Sequence, residues 1–255
     1  MIELKTETAI GAMREAGRVV ARALAAVRAA AAVGVTLLEL DEVAHDVIRQ
    51  AGAKSPFLHY HPSFAPTPFP AVICSSVNDV IVHGIPDRYR LRDGDLVSID
   101  FGAQLHGWTG DSAISFTVGT PRPADLKLIE TAEAALAAGI AAAVPGGRMG
   151  DISHAIGSLV KAAGYGVPSG FGGHGIGRQM HEDPHVPNDG KPRRGLRLEP
   201  GLVIAIEPML MAGGGHRYRT APDGWALTTV DGSRAAHAEH TVAITDGGPR
   251  VLTLP

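Results

Sequence analysis

The chain has 255 residues, of which 45% are hydrophobic and 19% are charged, and its formal net charge is −3. This length and composition allow a complete hydrophobic core, in one large domain or two small ones. The small net charge excludes a global field of the kind that attracts nucleic acid, so we expect no nucleic-acid partner. No apolar run reaches the length of a bilayer-spanning helix, and we expect no membrane partner.

The N-terminal sequence MIELKTETAI lacks the basic and then apolar layout of a signal peptide. A single cysteine, Cys74, excludes an internal disulfide bond. Both features are typical of a cytoplasmic protein. Because no serine-rich or charged linker interrupts the pattern, we expect residues 1–255 to form a single domain.

Two amphipathic helices are predicted near the start of the chain. Apolar residues of the first recur at three- and four-residue steps, at Ile10, Met13, Val20, Leu24 and Val27. The second begins with the capping-box spacing of Thr36 and Glu39 and ends at Gly52. A proline-rich loop over residues 56–70 then leads to a strand region over residues 71–82.

The same order of elements returns in the second half, with helices predicted over residues 123–143 and 151–163. The segment from Gly34 to Gly52 matches the segment from Gly146 to Gly164 in the positions of its glycines and apolar residues. Two related halves predict an α+β domain with a pseudo-twofold repeat, in which helices pack on antiparallel strands that meet at the centre.

Two aspartates stand inside predicted strands, in the segments VSIDFGA and GDSAISFTVG. Because side chains alternate between the faces of a strand, Asp100 and Asp111 share small, polar faces, while apolar residues such as Ile99 and Phe116 point the other way. The glycine-rich stretch between the strands can form a hairpin. Both carboxylates are therefore predicted to lie over one cavity.

The second half supplies two glutamates and a histidine in comparable positions. Glu207 ends the apolar run GLVIAIEP, Glu239 lies in the strand AEHTVAIT, and His174 lies in a glycine-rich segment. A buried, unpaired carboxylate costs several kcal/mol, and a bound cation removes that cost. Four carboxylates and one imidazole predict a centre for two divalent ions where the halves join, and this donor set suits manganese, iron(II), cobalt or zinc.

Two other motifs are rejected on physical grounds. The segment HEDPH matches the zinc-protease pattern H-E-x-x-H, but that pattern requires a helix and Pro184 would break it. Gly170, Gly172 and Gly175 match the dinucleotide fingerprint without a strand-to-helix unit around them, and we expect them to allow close backbone approach near His174.

The remaining candidates are single side chains. Cys74 as a nucleophile lacks an activating basic neighbour, so a role in lining a pocket is favoured. His83 and His181 lie in loops marked by glycine or proline, which favours a role at a site. By contrast, His45, His154 and His237 are expected to be exposed.

The chain resembles the type I methionine aminopeptidases, which have the pita-bread fold. The resemblance covers essentially the whole chain and rests on six segments: SVNDVIVHGIP at 76–86, SIDFGA at 98–103, GDSA at 110–113, GGHGIGRQMHEDPHVPN at 172–188, AIEPM at 205–209 and EHTV at 239–242. It implies a curved antiparallel sheet and removal of an N-terminal methionine when the second residue is small. Peptides and nascent chains are then the partners, with ribosome contact following from that task, and we expect a monomer.

The resemblance also implies a role for each matching residue. Asp100 would chelate one ion, Asp111 and Glu239 would bridge the two ions, and His174 with Glu207 would complete the second. Glu207 would act as the general base, and His83 and His181 would contact the substrate. The pocket for the methionine side chain would be lined by Phe69, Cys74 and Trp225. At Pro66, Phe69 and Met180 the chain departs from the tyrosines and phenylalanine of relatives, which affects the ranking of substrates.

Two alternatives remain open at this point. A proline-specific pita-bread peptidase would use a nearly identical ligand set, but such relatives carry a separate N-terminal domain, whereas the first helix here begins almost at once. A non-catalytic pita-bread binding module would keep the fold without the chemistry. The presence of all five ligands and both loop histidines weighs against that module.

Overall fold

Four helices form the outer layer of the protein, whose computed structural model describes residues 2–255. They are α1 (Glu7–Ala30), α2 (Leu37–Ala51), α3 (Pro123–Ala142) and α4 (Met149–Ala162). The predicted capping box is confirmed, because the Thr36 hydroxyl accepts from the Glu39 N–H and the Glu39 carboxylate accepts from the Thr36 N–H. Gly52 ends α2 in the left-handed region, at φ 62°.

The predicted start of α4 at residue 151 is late by two residues. The Asp151 carboxylate accepts a hydrogen bond of 2.8 Å from the backbone N–H of Arg148, which is the residue that caps the helix. Asp151 therefore stands inside the first turn, where an acidic side chain reaches back to the cap. In the sequence, the acidic residue Asp151 therefore indicates the first turn of α4 and not the residue at which this helix begins.

Thirteen strands complete the secondary structure of residues 2–255. They are β1 (Ile73–Val77), β2 (Val80–Val82), β3 (Leu96–Leu105), β4 (Trp108–Thr117), β5 (Gly172–Gly175), β6 (Glu182–Pro187), β7 (Val203–Ile206), β8 (Met209–Met211), β9 (Tyr218–Thr220), β10 (Leu227–Thr229), β11 (Ala235–His237), β12 (Glu239–Thr245) and β13 (Gly248–Val251). The main sheet has the order β1-β3-β4-β12-β7-β5-β6, with β13 also paired to β12. All its pairs are antiparallel, as predicted.

The two halves of the chain meet between β4 and β12, at the middle of this sheet. Glu239 lies opposite Ala113 and His240 lies opposite Ser112. Each half has its own apolar core. Residues such as Leu40 and Phe101 form the core beneath α1 and α2, and residues such as Ile152 form the core beneath α3 and α4. The pseudo-twofold α+β arrangement inferred from the repeat is therefore confirmed.

The β3–β4 hairpin turns through two residues, His106 and Gly107, with φ of 51° and 78°. Positive φ at both central residues is typical of the tight turn whose twist matches that of paired strands. The turn fixes the register in which β3 and β4 present their aspartates. Among residues 2–255, no helix is long and apolar enough to cross a bilayer.

Candidate metal centre and cavity

The acidic side chains come together because of strand register. Asp100 of β3 and Glu239 of β12 both lie opposite Ala113 of β4, so the three residues form one row across the sheet. Asp111 lies on β4 two residues from Ala113, and therefore on the same face. The Thr241 hydroxyl holds the Asp111 backbone, accepting from its N–H at 2.9 Å and donating to its carbonyl at 2.8 Å.

His174 of β5 and Glu207, which directly follows β7, complete the cluster. His174 Nε2 lies 3.8 Å from Asp111 Oδ2 and 3.6 Å from Glu207 Oε1. One ligand atom each from Asp111, His174 and Glu239 lies within 4.8 Å of the others. The Asn188 side chain donates to the Glu207 backbone carbonyl at 2.9 Å, which fixes the end of β7. Both halves thus contribute to one centre.

The ring of His174 is oriented as a ligand would be. Its Nδ1 lies 2.9 Å from the Gly175 carbonyl oxygen, which can only accept, so Nδ1 carries the proton. The lone pair of Nε2 is then directed at the carboxylates. A hydrogen bond that fixes the tautomer in this way is the usual companion of a metal-bound histidine.

Three carboxylate oxygens in this cluster are buried without a hydrogen-bond partner: Asp100 Oδ1, Asp111 Oδ1 and Glu239 Oε1. Leaving a charged group buried and unpaired is expensive, since neither water nor a donor offsets the lost solvation. Oxygen and imidazole donors around a shared space are the ligands that divalent first-row metals accept. The residues present therefore fit a metal centre.

Burial and mutual repulsion also shift the titration of these groups. Burial raises the pKa of Asp111 to about 7, and burial together with the Asp111 charge raises the pKa of Asp100, Glu207 and Glu239 well above the usual range. Burial lowers the pKa of His174 to about 3. Neutral imidazole is the form that binds metal, whereas the acids would need a cation to ionise fully at neutral pH.

The cluster forms the floor of a cavity of about 290 Å³. The ten residues that the sequence and the resemblance assign a role at the site all line it: Phe69, Cys74, His83, Asp100, Asp111, His174, His181, Glu207, Trp225 and Glu239. The rings of His174 and His181 lie 4.4 Å apart, centroid to centroid, and His181 is exposed to solvent. His83 has a φ of 61°, and burial lowers its pKa to about 4.

Aromatic rings form an apolar wall of the cavity. Phe69 and Trp225 pack edge to face with centroids 5.1 Å apart, and the Trp225 Nε1–H donates to the Thr67 carbonyl at 3.0 Å. Of the positions that depart from relatives, Met180 lines the cavity, whereas Pro66 packs beside Gly224. Sequence reasoning missed four further aromatic residues of the lining: Phe57, Tyr60, Phe64 and Phe171.

The structure contradicts the expectation that His237 is exposed. The residue is 1% exposed, and its Nε2 lies 3.5 Å from Glu207 Oε2 and 4.0 Å from Glu239 Oε2. Its strand, β11, has only three residues, which is too short to display alternation in the sequence. His45 is half-buried beside Asp41, also against expectation, while His154 is exposed as predicted.

The rejected motifs behave as argued. The HEDPH segment lies mainly in β6, so its two histidines do not share a helix face. The expected close approach is confirmed at Gly172 and Gly175, where a Cβ would lie 2.4 Å from the Val186 carbonyl oxygen and 2.0 Å from that of Asp183. It is wrong for Gly170, where a Cβ would have no atom within 4 Å and where a φ of 78° favours glycine instead. Burial raises the pKa of Cys74 well above its usual range, which opposes thiolate chemistry.

Known proteins of similar sequence point to a family of metallopeptidases. The family described as "Metallopeptidase family M24" matches residues 11–246. A Mycobacterium tuberculosis protein named methionine aminopeptidase 1 is 54% identical over 252 residues, covering 96% of this chain and 92% of its own length. A Bacillus subtilis methionine aminopeptidase 1 is 44% identical over 254 residues, covering 99% of each chain.

Solved structures give the same result for the fold. The crystal structure of a methionine aminopeptidase from Thermotoga maritima has a TM-score of 0.95 at 38% identity, and the match covers 100% of both chains. A prolidase from Pyrococcus furiosus has a TM-score of 0.79 at 23% identity and shares the fold alone, over 65% of its length. The expected pita-bread fold is therefore confirmed, and the chain belongs to metallopeptidase family M24, among its methionine aminopeptidases.

Proposed function

We propose that this protein is a metal-dependent aminopeptidase that releases the N-terminal methionine of peptides and nascent proteins when the second residue is small. The observation that carries the proposal is the set of buried carboxylate oxygens without partners at the floor of a cavity with apolar walls. The names of the similar proteins support the same activity.

The proposed centre holds two divalent ions, which could be manganese, iron(II), cobalt or zinc. Asp100, Asp111, His174, Glu207 and Glu239 would hold these ions, with the roles that the resemblance implies for each. The row of Asp100 and Glu239 across β4 supports this ligand set, because both side chains reach the same face beside Asp111. When bound, such ions polarise a carbonyl group and lower the pKa of water.

The side chains around the centre would bind and orient the substrate. We assign Glu207 as the general base, since its carboxylate lies at the edge of the cluster and faces His174 at 3.6 Å. The exposed position of His181 beside His174 suits a donor to the carbonyl oxygen of the bond that is cleaved. His83, whose lowered pKa keeps it neutral, would contact the nitrogen of that bond.

The cavity explains how one residue would be selected and removed. Phe69, Cys74 and Trp225 offer an apolar pocket to an unbranched, polarizable methionine side chain. The free α-amine would then lie against the acidic floor, where carboxylates bind a cation favourably. An internal segment of a protein has no amine to place there, so cleavage would be confined to the N-terminus.

The alternatives receive less support. A proline-specific peptidase would share the fold and ligands, yet the solved prolidase is only 23% identical, whereas named methionine aminopeptidases reach 54%. A non-catalytic binding module has no need of a complete ligand set with two histidines beside it. We further propose that residues 1–255 act as one catalytic domain, as a monomer in the cytoplasm, and that the protein meets nascent chains at the ribosome.

The experiment that tests the function measures release of free methionine from Met-Ala-Ser and Met-Pro-Ala. Metal-stripped protein is supplied separately with manganese, cobalt, iron(II) or zinc, and Met-Leu-Ser and Ala-Pro-Ala serve as control peptides. We expect metal-dependent release from the first two peptides only. Cleavage of Ala-Pro-Ala would reassign the protein to the proline-specific peptidases, and no cleavage with any metal would favour the binding module.

A further inference from the structure

His237 is buried beside the proposed centre, and it is neither one of the proposed metal ligands nor one of the residues proposed to bind the substrate. Its backbone is held on both sides by Ser115 of β4, whose hydroxyl accepts from the His237 N–H at 2.9 Å and donates to the His237 carbonyl at 2.8 Å. In β11 the residue also lies opposite Met209 of β8. This double attachment fixes the backbone from which the imidazole ring projects.

The ring nitrogen Nε2 of His237 has no hydrogen-bond partner and is buried. Leaving a buried polar atom without a partner destabilises the fold, so the carboxylate oxygens near it matter. The nearer of these is Glu207 Oε2 at 3.5 Å, and Glu239 Oε2 lies at 4.0 Å. Glu207 Oε2 is therefore the acceptor closest to hydrogen-bond distance from a donating Nε2 among these two oxygens.

The two oxygens of Glu207 face different partners. Oε1 lies 3.6 Å from His174 Nε2, on the side of the cluster, and Oε2 lies on the side of His237. The hydrogen bond that Glu207 receives from Asn188 reaches its backbone carbonyl and not its carboxylate. A donor at Oε2 would therefore decide which oxygen is presented to the centre.

We propose that His237 is a positioning residue for Glu207: its Nε2–H donates to Glu207 Oε2 and turns Oε1 towards the centre. The proposal deepens the proposed function and rests on the assignment of Glu207 as ligand and base. Groups that orient a metal ligand through a hydrogen bond typically change metal affinity or activity by about 10–100-fold when they are removed. His237 acts through Glu207 and does not touch the substrate.

The first test compares His237→Leu, which removes the donor, with His237→Gln, whose side-chain amide can restore it. His154→Leu, at an exposed position on α4, is the matched control. Calorimetric titration of zinc into metal-stripped protein should show affinity weakened about 10–100-fold in His237→Leu and largely restored in His237→Gln. With metal supplied in excess, kcat should fall in His237→Leu while KM stays nearly unchanged.

Equal zinc affinity and kcat in His237→Leu and the wild type would overturn the proposal. So would a His237→Gln variant as impaired as His237→Leu, because the role would then be packing. A second readout is the ¹⁵N NMR spectrum of the histidine side chains in zinc-loaded wild-type protein. A protonated Nε2 on His237 is expected, and an unprotonated Nε2 bound to zinc would replace the proposal with a sixth metal ligand.

These measurements separate the failure of this proposal from the failure of the proposed function. If the wild type released no methionine with any metal, the function would be rejected. The zinc affinities and the NMR spectrum would still decide whether His237 positions Glu207, since neither depends on turnover.

Discussion

Asp100 and Asp111 share one face of the β3–β4 hairpin but are not cross-strand partners, since Asp100 lies opposite Ala113 and Asp111 lies opposite Gly102. Like charges directly opposite each other destabilise a strand pair. The diagonal offset places a small residue beside each carboxylate. Both acids can therefore point at one centre while the strands keep regular register.

Asp111→Asn should abolish both metal binding and methionine release. The amide keeps the size of the side chain but removes the charge that two ions would share, and Asp111 is 2% exposed, so water cannot compensate. Metal content after dialysis and turnover of Met-Ala-Ser measure the effect. Asp246→Asn, at an exposed position outside the cavity, is the control. Normal metal content with normal turnover in Asp111→Asn would contradict the assigned centre.

His181→Ala should lower kcat by about a hundredfold or more while metal content stays unchanged. Loss of one donor to a developing oxyanion typically has an effect of this size. The exposed ring of His181 lies beside His174 and is not among the proposed metal ligands. Steady-state kinetics and metal analysis of the same preparation separate the two roles. Loss of metal together with activity would instead make His181 part of the centre.

The shared face of three acids of the cluster could be predicted from the sequence, because these acids lie on strands with a clear period. Asp100 and Asp111 stand in ten-residue strands, where alternation assigns every side chain to a face. Glu239 begins a seven-residue strand with the same pattern. The repeated helix pairs, marked by Thr36 and Gly52, predicted two halves before any contact between them was known.

Other parts of the site could not be predicted, because they lie in loops or short strands whose sequences show no hydrophobic periodicity. Phe57 and Tyr60 reach the cavity from the loop between α2 and β1, and Phe171 does so from the segment before β5. Their positions depend on ring packing between distant segments, such as the 5.3 Å contact of Tyr60 with His181. His237 was misjudged for a related reason, because its burial follows from long-range pairing with Met209.

The stability of the metal-free protein should depend on pH through Asp111. Its pKa is about 7 in the folded chain and near 3.8 when exposed, so the folded state holds the proton more tightly. The stability that this proton contributes is fully present below about pH 4 and is lost as the pH rises to about 7. Chemical denaturation of metal-stripped wild type and Asp111→Asn should show the wild type losing stability relative to the variant across this range.

Subtracting the variant's free energy of unfolding from that of the wild type removes the contribution of the buried histidines. Their lowered pKa values destabilise the fold as the pH falls below about 6.5. A difference that does not change between pH 4 and pH 7 would show that Asp111 is already ionised in the metal-free fold.

Two glycines of α1 should respond in opposite directions to replacement by alanine. A Cβ at Gly17 would lie 2.0 Å from the Leu252 carbonyl oxygen, whereas one at Gly11 would have no atom within 4 Å. Gly17→Ala should therefore destabilise the protein by about 1–3 kcal/mol, because α1 must move away from the C-terminal segment. Gly11→Ala should stabilise it by about 0.5–1 kcal/mol through helix propensity. Urea denaturation of both variants at one fixed metal concentration tests this, and equal effects would show that the contact with Leu252 does not constrain α1.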